Sequence, residues 1–262
     1  MLRALYTAAT GMNAQETNID VISNNLANIN TTSFKKSRAE FQDLMYQNLL
    51  DPGAQTSEST RNSTGMQIGL GVETVSVQKV HTQGDLKNTG RNLDIAIEGE
   101  GMLQVTLPNG QFAYTRAGAL QLDQLGNLVT SEGYTVDSGL NVPTDALAVV
   151  FAQDGTISAR TSGSATPVNV GQLQAYRFPN SSGLRAIGMN LYEPTESSGV
   201  VQTGNFNQNG FGRINQGFLE TSNVSVVEQV VNMITAQRAY EASSKGVRAA
   251  EEMLTQAINL KR

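Results

Sequence analysis

The pattern of apolar and polar positions changes character twice along the chain. Near the start, Leu5, Met12, Ile19 and Leu26 recur every seven residues, and Ala8, Ile22 and Ile29 fall three positions after members of that series. Polar Gln15 is the one interruption. So narrow a stripe is the a/d seam of a coiled coil rather than the wider apolar face of a globular helix. From Asn28 the run Asn-Ile-Asn-Thr-Thr-Ser is poor in helix formers, so the helix is expected to stop there.

The C-terminal pattern mirrors it. Val226, Met233, Tyr240, Val247 and Leu254 repeat at the same spacing, with small Ala236, Ser243, Ala250 and Ala257 three positions later. Ser222 or Asn223 is the expected N-cap. No proline interrupts residues 223–260, so a continuous helix there would run about 57 Å at 1.5 Å per residue. At about 100° per residue, Val226, Val227, Val230, Val231, Met233 and Ile234 spread over an arc of about 160°, more than one antiparallel partner covers. The first turns of this helix therefore need more than one neighbour. Each helix alone lacks the local stability to persist in water, so both ends are expected to order on assembly.

The middle has strand texture. Met102–Leu107 and Gln111–Arg116 flank Pro108-Asn109-Gly110, where a tight hairpin needs positive φ. Similar punctuation recurs at Gly126-Asn127, Glu132-Gly133 and Asp154-Gly155. Strand candidates lie between, at Ala119–Asp123, Tyr134–Val136, Leu147–Phe151, Thr156–Arg160 and Gln172–Phe178. Residues 46–70, with Pro52-Gly53 and a Ser/Thr run, read as an extended excursion or a flexible loop. The glycine-rich stretch from Ser197 to Gly212 reads as a return path.

The pattern predicts an α+β chain, with long N- and C-terminal coiled-coil-forming helices and an inserted all-β domain. Three regions are expected: a terminal helical domain from 1–33 with 222–262, an extended or β connecting region from 34–92 with 189–221, and a β domain over 93–188.

Composition narrows the function classes. Only 16% of the residues are charged, against a usual share of roughly 25%. The surface must rely on amides and hydroxyls, which hydrogen-bond across a contact without the desolvation cost of burying charge. The net charge of −5 argues against a nucleic-acid partner. Lys35, Lys36 and Arg38 form one short basic cluster, expected on a solvated surface. The chain has no cysteine, which excludes disulfides, thiolate zinc sites and a cysteine nucleophile. Its start lacks the apolar core of a secretory signal peptide. The longest apolar run, Ala146 to Ala152, has seven residues, far short of the ~20 that span a bilayer. A soluble protein without membrane insertion is expected.

Nothing here composes an active site. His81, the only histidine, has no second imidazole or thiol to join in a transition-metal site, and a surface or hydrogen-bonded role fits it better. Gly69-Leu70-Gly71 and Gly99-Glu100-Gly101 lack the strand-to-helix setting of a phosphate loop. Asp94, Glu98 and Asp85 make a carboxylate pair imaginable, but no sugar cleft is legible. No catalytic, cofactor-binding or metal-binding residue, and no cofactor, is assigned. The chain reads as a non-enzyme.

The segment SNNLANINTTSFKKSRAEFQDLMYQ, residues 23–47, resembles the N-terminal motif of the bacterial flagellar rod and hook axial proteins, an Asn-rich helix end followed by Asn-Thr-x-Gly-Phe-Lys. Asn30, Thr31, Phe34 and Lys35 match, and Ser33 stands where the pattern has Gly. Serine tolerates positive φ poorly, so the sequence leaves the backbone conformation at 33 open. Residues 217–245 resemble the paired C-terminal motif of the same family, and 94–105 and 113–130 its β domain. The segment YQNLLDPGAQTSESTRNSTGMQIG, 46–69, is similar to the extra segment of the distal-rod members, which implies that it fills gaps between subunits and keeps the rod straight.

The resemblance implies a structural subunit that polymerises helically with itself and transmits torque. It also implies proximal rod proteins, the hook protein and surrounding ring (bushing) proteins as neighbours. The implied location is the basal body, with the rod crossing the periplasm to the outer membrane and the subunit exported without a cleaved signal peptide. The subunit-interface candidates are Leu5, Met12, Ile19, Asn24, Asn25, Leu26, Asn28, Asn30 and Phe34 at the start, and Val226, Val230, Met233, Ile234, Tyr240, Val247 and Leu254 at the end. Four asparagines, Asn18, Asn24, Asn25 and Asn28, are costly in a helix and suit a role in fixing register by hydrogen bonds. An intramolecular antiparallel helix pair is an alternative use of the two stripes. Alternative functions are another β-domain-bearing rod protein or, from a different class, a secreted glycan-binding β module with coiled-coil ends. The absence of tryptophan weakens the last.

Overall fold

A computed structural model describes residues 2–52, 55–57, 60–61, 63–137, 139–161 and 166–259. The chain falls into two compact units: Met1–Ala27 with Ser37–Lys79 and Ser225–Arg262, and Asn28–Lys36 with Val80–Val224.

The first unit is built on two helices, α1 (Leu2–Ala27) and α2 (Val226–Asn259). α1 stops one residue before Asn28, where the helix formers run out. Its partner begins later than expected. The Ser225 carbonyl accepts the Gln229 amide at 3.0 Å, which makes Ser225 the residue in the N-cap position. Neither Ser222 nor Asn223 is the cap, and the reason is competition. The Asn223 side chain accepts from Lys36 N (2.7 Å) and donates to the Val80 (2.9 Å) and Thr82 (3.1 Å) carbonyls. Strand-like neighbours satisfy this amide better than a helix end does. Residue 260, in the expected helix, lies outside the described residues.

The helices pack antiparallel. Gly11 lies against Ser243, Gly246 against Ala8, and Asn25 reaches Gln229. The intramolecular alternative for the two stripes is thus part of the structure.

Residues 37–79 form a two-stranded antiparallel ribbon beside α1. Ser37–Asp43 pairs with Val72–Lys79, Tyr46–Leu50 with Met66–Gly69, and Gln55–Ser57 with Thr60–Arg61. The flexible-loop alternative for 46–70 is overturned. Polar side chains there hid the signal, because the ladder is made by backbone groups indifferent to composition. Gly53 and residues 54, 58, 59 and 62 of this segment lie outside the described residues.

The second unit is all β apart from short turns. A seven-stranded antiparallel sheet runs in the order Gln121–Leu122, Leu128–Val129, Thr135–Val136, Leu103–Thr106, Phe112–Thr115, Leu191–Glu193, Arg185–Gly188. A three-stranded sheet holds Ala146–Phe151, Thr156–Thr161 and Val168–Gln172, and three strand pairs complete the unit. Several of its hairpins use one device. At Leu107–Gln111, Gly110 N donates to Leu107 O and Leu107 N to Gln111 O, both at 2.9 Å, with Gly110 at φ 79°. This is a three-residue turn closed by a left-handed glycine, and Ala152–Thr156 repeats it around Gly155. Alternation on the strands sends Ile95, Ile97, Leu103, Val105, Leu128 and Ile157 into one continuous core. The stretch 197–212 does more than return the chain. It contributes strand Gln202–Asn205 and Phe206, which is fully buried in that core.

Candidate assembly interface

α2 presents two chemically different faces. Gln229, Ala236, Ser243 and Ala250 line one side and are buried or half-buried in the first unit. The small size of the last three lets α1 approach closely. Val226, Val227, Val230, Val231 and Ile234 occupy another side, spanning about 140° at 100° per residue. All five are exposed, Val227 by 75% and Val231 by 56%. Burying one such side chain contributes about 1.5–3 kcal/mol. A contiguous run of them in water is the mark of an interaction surface.

The other candidates separate by position. Leu5, Met12, Ile19, Leu26, Met233, Val247 and Leu254 are half-buried in the helical unit. Tyr240 is 40% exposed, and Asn24 and Asn30 lie at the surface. Asn25 is buried, and its side chain binds both backbone groups of Ser37, accepting from N and donating to O at 2.8 Å each. It imitates a neighbouring strand, so these bonds are made within one molecule. Asn28 accepts from Thr31 Oγ1 at 3.1 Å, and Phe34 is buried in the second unit.

The solvated basic cluster expected at Lys35, Lys36 and Arg38 is wrong at its first member. Lys35 is 1% exposed, and its Nζ meets Glu220 Oε1 at 2.5 Å and the Thr82 carbonyl at 2.7 Å. The other Glu220 oxygen accepts from Arg116 Nε at 2.5 Å, and Gly84 N donates to Oε1 at 2.9 Å. Arg116 spends its remaining donors on the carbonyls of Gly101, Ile97 and Gly99. Two cations thus share one carboxylate in the interior, with backbone carbonyls absorbing the excess positive charge. Burial pushes the Glu220 carboxyl up, but Arg116 and Lys35, with the Gly84 amide, outweigh it and hold its pKa below the usual 4.5. Burial draws the Lys35 ammonium below 10.5, opposed by Glu220. These directions compete, and the carboxylate's governs the cluster because three donors converge on it.

The same crossing orders the backbone. Ser33 N donates to Glu220 O at 2.8 Å, and Ser33 Oγ to the Arg116 carbonyl at 3.0 Å. Ser33 is left-handed, at φ 59°. The conformation that the sequence left open is thus the left-handed one, and these tertiary bonds offset its steric cost. Glu220 and Arg116 were missed in the sequence. The only available signal was a lone acid and a lone base, each within an otherwise weakly charged strand segment.

Two of the carboxylates weighed for catalysis are structurally engaged. Glu98 accepts from Asn215 and Arg213, and these bonds hold it below the ordinary carboxylate range, opposite to a general acid. Asp94 is buried and accepts from Thr89 at 2.7 Å. His81 stands edge-on to Tyr192, ring centroids 5.3 Å apart. Among the described residues no helix is long and apolar enough to cross a membrane.

Comparison with known proteins bears on both termini and the β region. Residues 5–35 match the model described as flagella basal body rod protein, 96–159 that of the flagellar hook protein FlgE/F/G D1 domain, and 215–260 that of the flagellar basal body rod FlgEFG protein C-terminal. The chain is 46% identical to the flagellar basal-body rod protein FlgG of Buchnera aphidicola subsp. Acyrthosiphon pisum, over 97% of this chain and 98% of that one. It is 44% identical to FlgG of Borreliella burgdorferi over the whole of both chains. Identity falls to 32%, over 97% of each chain, with the flagellar hook-basal body complex protein FlhP of Bacillus subtilis. The chain belongs to the flagellar basal-body rod protein family.

Proposed function

We propose that this chain is the structural subunit of the distal part of the bacterial flagellar rod, polymerising helically through its terminal helices to carry torque from motor to hook. The observation that carries the reading is the exposed ridge of Val226, Val227, Val230, Val231 and Ile234, on a helix whose opposite side is already occupied by α1. A lone molecule leaves this surface in water, and a neighbouring copy covers it. The greater identity to proteins named FlgG than to FlhP supports the distal-rod assignment within the family.

In this reading the half-buried seam residues complete coiled-coil contacts between copies, and Asn18, Asn24 and Asn28 set register. The helices form an inner tube and the β domain an outer layer. Proximal rod proteins, the hook protein and the surrounding ring proteins are its neighbours. The subunit leaves by the flagellar export apparatus and spans the periplasm as part of the rod. The apolar residues exposed on the ribbon, among them Met45, Tyr46 and Leu50, are covered by adjoining subunits. No catalysis is assigned.

Purified protein brought to polymerising conditions should form straight filaments by electron microscopy. The double substitution Val227→Asp/Val231→Asp should leave soluble protein with the β unit folded. Polymerisation of that variant at the wild-type concentration would defeat the reading.

A further inference from the structure

The first unit carries a second feature that the helical stripes alone do not explain. A shallow groove of about 890 Å³ opens between the helices and the ribbon, lined by Ala4, Ala8, Leu49, Ile68, Gly69 and Ala242. Its walls combine small side chains, polar Thr7 and Ser243 among them, with branched aliphatic ones. A ridge of valines fits such a trough better than longer side chains would.

The groove lies midway along α2 and the ridge at its start. The antiparallel packing places the start of α1 beside residues 242–246 of α2, and the end of α1 beside Gln229. Val231 and Ala242 are therefore separated by about 16 Å along α2, at 1.5 Å per residue. One molecule cannot bring its own ridge to its own groove.

The charges on the helices differ between the two places. Residues 13–27 of α1 and 226–237 of α2 carry Glu16, Asp20 and Glu228 and no lysine or arginine. The groove has Arg3 in its wall. Arg238 and Lys245 stand four residues before and three after Ala242, which sets them on the face of Ala242. Glu241 lies one step further round the helix. Residues 238–259 of α2 balance Arg238, Lys245 and Arg248 against Glu241, Glu251 and Glu252, so the complement to the acidic half and its apolar ridge is Arg3 in the wall of the trough.

We infer that the valine ridge of one copy seats in the Ala4–Ala242 groove of the next, a head-to-tail contact that specifies the polarity of the polymer. This rests on the rod-subunit reading and gives it a direction. Such a contact uses two different surfaces, leaves one of each unfilled at either end and so propagates without closing. The charges steer the approach and fix its orientation, with an influence that weakens as salt rises.

The test uses two full-length variants, each blocked at one surface. Val227→Asp/Val231→Asp removes the ridge, and Ala4→Trp/Ala242→Trp fills the groove at two exposed positions. Analytical ultracentrifugation should find each variant monomeric at concentrations where the wild type polymerises. An equimolar mixture should give a 1:1 dimer that grows no further, because only one ridge and one groove remain usable. Ala242→Arg, which fills the groove with charge instead of apolar surface, should behave as the tryptophan variant does. The inference is overturned if the groove-filled protein polymerises normally, if it dimerises with itself through its ridge, or if the mixture stays monomeric. Failure of the wild type to polymerise would instead sink the rod-subunit reading.

Discussion

The two units of this chain solve the burial problem in opposite ways. The β unit closes its own core: Ile95, Leu103, Leu120, Leu128, Ile157 and Phe206 are each at most 1% exposed. The helical unit does not. Over the 34 residues of α2 only Gln229, Ala236 and Ala250 are buried, while five aliphatic side chains on its first turns face water. Its ribbon has two strands, and an isolated ribbon is marginal at best. The difference separates a part that is complete in a monomer from a part that awaits neighbours.

Hydrogen exchange on a non-assembling variant such as Val227→Asp/Val231→Asp should display the largest contrast. Amides of Leu103–Thr106 should exchange only by global opening, at a free energy of about 5–15 kcal/mol. Amides across 226–254 should exchange through local opening, orders of magnitude faster. Equal protection in both would erase the distinction between the units.

Within the β unit, the interior charges are next in size. Glu220→Ala leaves Lys35 and Arg116 buried without their carboxylate and should destabilise the unit by about 3–5 kcal/mol. Urea unfolding of the isolated variant and wild type measures this. The pH dependence has a defined sign. Glu220 is held below 4.5 in the folded state, so the unfolded chain binds more protons in the window beneath that value. Its contribution is complete above pH 4.5 and is lost as pH falls through the folded-state pKa. Glu220→Gln should flatten this acid limb. An unchanged limb would remove Glu220 from that role.

Paired truncations sharpen the comparison further. Leu103→Ala should cost about 2–5 kcal/mol of β-unit stability and leave the assembly surface intact. Val230→Ala should move monomer stability by less than about 0.5 kcal/mol yet raise the concentration needed for polymerisation. One residue is spent inside the molecule, the other on its neighbour. Matching effects on both readouts would contradict the division.

Much of this division was legible in the sequence, because periodicity reports faces. The seven-residue spacing from Val226 gave the helix, and the excess apolar arc over its first turns became the exposed ridge. Gly110, Gly126, Gly133 and Gly155 marked their turns through backbone sterics alone. What stayed hidden depended on partners distant in the chain. Lys35, Arg116 and Glu220 lie far apart in sequence, and none has a local pattern that forecasts burial. Asn223 looks like a cap until the Val80 and Thr82 carbonyls are present to claim it. The ribbon at 46–69 was obscured because its ladder depends on register between strands, whereas its side chains resemble those of a loop.

Ser33 shows the limit most sharply and yields the smallest effect. A left-handed non-glycine residue costs about 1–2 kcal/mol. Glycine in its place would relieve that strain. It would also give up the Oγ bond to the Arg116 carbonyl, a bond that contributes about 0.5–1.5 kcal/mol, and loosen the unfolded chain by about 0.4–1 kcal/mol. The terms nearly cancel, so Ser33→Gly should shift β-unit stability by less than about 1 kcal/mol. Ser33→Val, whose branched side chain keeps the strain and lacks the hydroxyl, should lose more. Thermal unfolding of the three proteins side by side tests the balance. A large gain from glycine would mean that the hydroxyl contributes little, and that the crossing at Glu220 is held by its charges alone.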